Sequence, residues 1–172
     1  MNAIEEIKVG DKTIKIYPDE MAESPREWDN LGTMICFHRR YNLGDKHSLS
    51  VEEAKALASR EDVISLPLYL YDHSGITMNT TGFHCPWDSG QVGFIYVTKE
   101  KVRKEFGKKA ISKKLLSKVL DILRGEVETY DQFLTGDVYG FKSFDAEGNE
   151  VDSCWGFFGH DHKASGLLDH AR

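Results

Sequence analysis

Between Ser112 and Gly136, apolar residues recur at Leu116, Val119, Leu120, Leu123, Val127, Tyr130 and Leu134. The spacing traces one stripe of a long helix that Ser112 opens and Gly136 stops. A stripe of this length is stable only against a second apolar layer. That requirement limits the fold to architectures in which other elements cover it. Gly125, in the middle of the helix, costs about 1 kcal/mol relative to alanine, which predicts close packing of another element there.

The rest of the chain offers strands and short helices. Val9-Gly10-Asp11-Lys12 places glycine first in a two-residue turn, setting Ile7 opposite Ile14. Ile7, Val9, Ile14 and Ile16 then share one face, with Lys8, Thr13 and Lys15 on the other. Pro18 to Asn30 is polar and reads as loop or a short helix, and Thr33 to Arg39 is rich in strand formers. Ser50-x-x-Glu53 is a capping box opening a helix with Val51, Ala54, Leu57 and Ala58 along one side. Val63 to Tyr71 and Gln91 to Val97 read as buried strands, with a short one at Ile76–Thr80. Pro67 predicts an edge position, a bulge or an early end to pairing. Thr98 caps a short helix that Gly107 ends after Phe106. Asp137 to Phe144 and Val151 to Phe158 flank a hairpin turn, and the chain ends in a short helix or frayed tail from Ser165. Strands and helices do not alternate strictly. The expected fold is therefore α+β, one domain over residues 1–172, with a mainly antiparallel sheet, one long helix and two or three short ones.

Composition narrows the setting. With 172 residues, 40% of them hydrophobic, the chain can bury a core and is not a disordered sequence. No apolar run reaches the roughly 18–20 residues that span a bilayer, and the first residues lack the basic and apolar regions of a signal peptide. Three Cys give no disulfide framework. A cytoplasmic protein with no membrane partner is expected.

Charge is distributed unevenly. Lys99, Lys101, Arg103, Lys104, Lys108, Lys109, Lys113, Lys114 and Lys118 face only Glu100 and Glu105 in the same window, a local +7, so the other 152 residues carry −13. Such a stripe can bind phosphates or an acidic protein surface, or can simply be a solvated face. Lys113 and Lys114 sit in the first turn of the long helix while Glu126, Glu128 and Asp131 lie in its later half, opposite to what the helix dipole favours. This reversal speaks for a use beyond stability. Helix, Gly107, helix has the outline of a helix-turn-helix, but Arg103 stands where a small residue is needed and Lys113 where an apolar one is.

Other residues bear on catalysis and metals. Cys36, His38, His84, Cys85, Cys154, His160 and His162 could converge as ligands, yet no Cys-x-x-Cys pair is present. The thiols read as core residues, the three Trp as core or interface anchors, and no metal or cofactor is expected. Asp72-His73-Ser74 and Trp87-Asp88-Ser89 supply a carboxylate, a base and a hydroxyl, but each set also suits a turn. No Gly-x-Ser-x-Gly elbow, P-loop or dinucleotide fingerprint occurs.

Several segments together resemble a known group. They are Ser24-Pro25-Arg26-Glu27-Trp28-Asp29-Asn30-Leu31-Gly32-Thr33-Met34 with Tyr41-Asn42-Leu43-Gly44-Asp45, Leu66 to Gly75, Cys85 to Gly93, Glu128 to Asp137, and Asp152-Ser153-Cys154-Trp155-Gly156. Between Ser24 and Gly159 the chain resembles small proteins carried by bacteriophages, plasmids and other mobile elements of Gram-positive bacteria. The resemblance carries no assigned activity or catalytic residue. It implies a genomic setting in which accessory proteins inhibit host defence, anti-CRISPR proteins among them. The expectation is a stoichiometric binder rather than an enzyme, acting in the bacterial host cell. Its nine-residue basic stripe would meet nucleic acid or a host nuclease complex. In a weaker variant, the acidic remainder would enter a cationic nucleic-acid channel. The alternatives are a small metal-dependent hydrolase or nuclease using Asp72, His73 and Asp88, and a regulatory or virion-associated protein.

Overall fold

In the computed structural model, which describes residues 1–172, Gly10 takes the positive φ (60°) that a tight turn asks of it. The turn joins β1 (Glu5–Val9) to β2 (Lys12–Pro18) with Ile7 opposite Ile14, the register read from the alternation. The capping residues act as their positions suggest. Ser50 accepts from the Glu53 amide at the start of α1 (Val51–Ala58), and Thr98 accepts from the Lys101 amide at the start of α2 (Lys99–Phe106). Gly107 ends α2 in the left-handed region, φ 61°. Ser112 accepts from the Leu115 amide at the start of α3 (Lys113–Thr135).

The chain forms two compact units, each around its own sheet. The first comprises Met1–Ser24 and Gln132–Arg172. It adds β7 (Val138–Phe144), β8 (Glu150–Phe158) and α4 (Leu167–Ala171) to the first hairpin, in strand order β1-β2-β7-β8. Its core is Ile14, Ile16, Phe141, Phe157, Leu167 and Ala171, so α4 covers one face of the sheet. Ile7 packs against this cluster, but Val9, at the hairpin tip, stays exposed.

The second unit, Pro25–Asp131, holds β3 (Thr33–Cys36), β4 (Val63–Asp72), β5 (Ile76–Asn79) and β6 (Ser89–Thr98) in the order β3-β6-β4-β5. A single 3-10 turn at Pro25–Glu27 precedes them. Met34, Leu68, Leu70, Met78, Ile95 and Val97 are buried, as are Val119, Leu123, Val127 and Tyr130 of α3. Pro67 lies where β4 pairs with β6 but lacks its β5 neighbour, one residue before a register shift at Leu68/Tyr69. It is accommodated as an edge position beside a bulge.

Every strand pairing is antiparallel, and one long and three short helices accompany the two sheets: the fold is α+β. The expectation for Gly125 is corrected. A Cβ there would meet nothing within 4 Å, so no element packs closely against it. The helix-turn-helix outline also fails, because residues 107–112 separate α2 from α3 where that motif uses a turn of about three or four residues.

Candidate functional site

The basic stripe divides into two sets. Lys101 is spent internally: its ammonium donates to the carbonyls of Asn30 (3.2 Å) and Leu31 (3.0 Å). Lys99 and Arg103 are half-buried. Lys104, Lys108, Lys109, Lys113, Lys114 and Lys118 are exposed along the end of α2, the connecting segment and the first turns of α3. Lys118 places its ammonium 5.1 Å from the centre of the Phe106 ring, which ties the two helices together there. None of the nine forms an ion pair with a carboxylate. Six cations without carboxylate partners therefore stand on the end of α2, the connecting segment and the start of α3.

The charge pattern of α3 has a different cause from the one its sequence suggests. Glu126 accepts from the amides of Leu31 (3.1 Å) and Gly32 (3.1 Å), and Asp131 from the Met78 amide (2.8 Å) and the Thr77 hydroxyl (2.7 Å). These carboxylates hold loops and a strand, so their place late in the helix needs no functional explanation. Arg26, its side chain 4% exposed, completes the network. Its guanidinium makes two bonds to Asp45 (3.0 and 2.7 Å), one to Glu126 (3.3 Å) and one to the Gly32 carbonyl (2.8 Å). Burial opposes the Arg26 charge, but Asp45 and Glu126 outweigh it and raise its pKa. Burial raises the pKa of Glu126 despite the hydrogen bonds it accepts. Sequence reading missed this network. No local pattern marks it, since Arg26 lies 19 positions from Asp45 and 100 from Glu126.

The hydrolase candidates do meet. Asp72, at the end of β4, and Asp88, just before β6, border one cleft of about 390 Å³ with Phe37, His38, Arg40 and Trp87. His73 turns Nδ1 toward Asp88 (3.2 Å), leaving Nε2 free. Asp72 is held otherwise, by the Arg40 guanidinium (2.5 Å). His38 accepts the amides of Arg40 (3.1 Å) and Tyr41 (3.2 Å) on Nδ1 and turns Nε2 toward Asp72 (3.7 Å). His38 Nδ1 is thus taken up by two backbone amides, whereas the His73 imidazole is mostly exposed. Ser89 is committed to the Cys85 carbonyl. No family model, curated protein or solved structure matches this chain.

The thiols stand apart, and no three His, Cys, Asp or Glu side chains come together in a way suited to a metal ion. Cys36 is buried, and that burial, with Asp45 nearby, pushes its pKa up to about 12 although Arg26 pulls the other way. Cys85 and Cys154 are only half-buried; Cys154 still packs against the core cluster of its sheet, so the core reading fails only for Cys85. The three Trp are not core residues either. Trp28, Trp87 and Trp155 are all exposed, Trp87 by 90%.

Proposed function

We propose that the protein works by stoichiometric binding. Lys104, Lys108, Lys109, Lys113, Lys114 and Lys118 would engage nucleic acid or an acidic groove of a nuclease complex, as an anti-defence inhibitor of the anti-CRISPR kind would. The observation that carries this reading is the absence of any carboxylate partner for these six exposed side chains. Cations without carboxylate partners, gathered on one stretch of chain, attract phosphates, and their binding releases condensed counterions. Titration of duplex and single-stranded DNA against salt tests it. Affinity falls steeply between low and moderate salt, and the double charge reversal Lys113→Glu with Lys114→Glu abolishes it. Binding that survives both would mean the stripe is merely solvated.

Hydrolysis is a second reading, and one observation favours it. Asp88, which lines the cleft, lies 3.2 Å from Nδ1 of the mostly exposed His73, a pairing of the kind a general base uses. Turnover of an ester or phosphodiester that His73→Ala removes, with DNA binding intact, would establish it over the first. Metal analysis of the purified protein, with Asp72→Asn and Asp88→Asn as controls, separates a metal-dependent version.

A further inference from the structure

The two units differ sharply in charge. Met1–Ser24 with Gln132–Arg172 contains six Lys or Arg against thirteen Asp or Glu, a formal −7, whereas Pro25–Asp131 holds sixteen against fifteen. The acidic unit has one sheet face packed on its core. Alternation turns Lys15 and Tyr17 of β2 and Gly140, Lys142 and Phe144 of β7 to the opposite face. There Trp155 lies across the strands. Tyr139 pairs with Phe157 and Phe141 with Cys154, so Trp155 and Gly156 together oppose Gly140, a bulge. Any side chain on Gly140 would collide with the indole. The Gly156 amide is pinned to Asp19 (3.1 Å), and the Tyr17 ring, opposite Gly140 in register, lies 6.1 Å from the indole at 37°. A glycine in an inner strand and a bulge together lay this ring pair on the surface, with Trp155 still 39% exposed.

We infer that this face docks a basic protein surface, with an arginine side chain seated on the Trp155–Tyr17 pair. Two features select that partner. Indole and phenol rings attract guanidinium groups and are common anchors of protein interfaces. Carboxylates also ring the platform: Asp19 at the bulge, Glu6 beside Lys15 (3.8 Å) and Glu150 beside Lys142 (2.9 Å). Those lysine pairs are exposed and exchange partners readily, so the carboxylates remain available to an incoming cation. Single-stranded nucleic acid would also stack on such rings, but the −7 of this unit repels phosphates. The inference goes beyond the proposed function, since it assigns a second surface and a cationic partner. It stands or falls without the α2–α3 lysines.

The probe is a decapeptide alternating arginine and glycine, titrated into the full chain and followed by amide and indole NMR shifts. Shifts centre on Tyr17, Lys142 and the Trp155 indole, and binding weakens with salt. Trp155→Ala and Tyr17→Ala each weaken binding about tenfold, Trp155→Phe largely restores it, and Lys113→Glu with Lys114→Glu leaves it unchanged. Shifts centred elsewhere, unaltered affinity in either alanine variant relative to the wild type, or oligothymidine occupying the same residues would each overturn it. The shift map on the unaltered protein decides the matter even if a variant fails to fold.

Discussion

The two four-stranded sheets solve the same packing problem with different chemistry. The sheet of Met1–Ser24 and Gln132–Arg172 is held by a small apolar cluster around Ile16 and Phe141. That of Pro25–Asp131 adds a buried polar network in which Arg26 bonds to Asp45 and Glu126 while α3 carboxylates accept loop and strand amides. Apolar contacts weaken gradually when trimmed. A buried ion network fails abruptly, because removing one partner strands the others without water. The charge contrast follows the same division: one unit is net acidic, while the other is nearly neutral because a +7 window offsets its acids.

The comparison can be broken at its strongest point first. Arg26→Ala leaves Asp45 and Glu126 facing each other without their shared cation and lowers stability by about 3–5 kcal/mol. Ile16→Ala, a cavity in the other unit, costs about 2–4 kcal/mol. Urea denaturation measures both, and hydrogen exchange locates the first loss in Pro25–Asp131 and the second around β2. An Arg26 variant as stable as the wild type would remove the network from the account of what holds that unit.

The thiols sharpen the same contrast. With a pKa of about 12, Cys36 holds little thiolate at pH 8 and is sealed in the core. Iodoacetamide therefore modifies Cys85 and Cys154 while Cys36 stays unlabelled, as mass spectrometry of the intact protein will show. Arg26→Ala loosens the surroundings of Cys36 and brings it into the labelled set.

The smallest effect is on pH dependence. Burial raises the folded-state pKa of Glu126 above its unfolded value. Its linkage contribution therefore favours the folded chain fully below the ordinary glutamate pKa and is lost as pH rises through the elevated one. The stability difference between the wild type and Glu126→Gln should thus shrink as pH climbs through that interval. A difference that grows instead would mean that the charged carboxylate, with Arg26 beside it, is the better-solvated form.

Much of the fold was legible because it is locally encoded. The Gly10 turn, the Ser50 and Thr98 caps and the Gly107 stop each depend on bonds or dihedrals within a few residues. The candidate sites were legible in part. Asp72, His73 and Asp88 meet as adjacent loops allow, and the stripe keeps six exposed cations. The misreadings concern what the fold does, or does not, bring against a residue from far away in sequence. Gly125 was expected to be packed and is open, and Glu126 was read as misplaced when its ligands are the amides of Leu31 and Gly32. Trp155 was a core or interface candidate until Gly140 placed it on a sheet face.

The amino-acid order by itself determined where helices start and stop, the register of the first hairpin and the concentration of cations in one window, since each rests on hydrogen bonds, φ angles or charges of near neighbours. Only the tertiary structure decided that β2 pairs with β7, that Arg26 is sealed between Asp45 and Glu126, and that Trp155 and Tyr17 lie side by side. Those contacts join residues separated by 19 positions (Arg26 and Asp45) to more than a hundred (Tyr17 and Trp155). Their free energy appears only once the intervening chain has given up its conformational entropy, and no local pattern records that exchange.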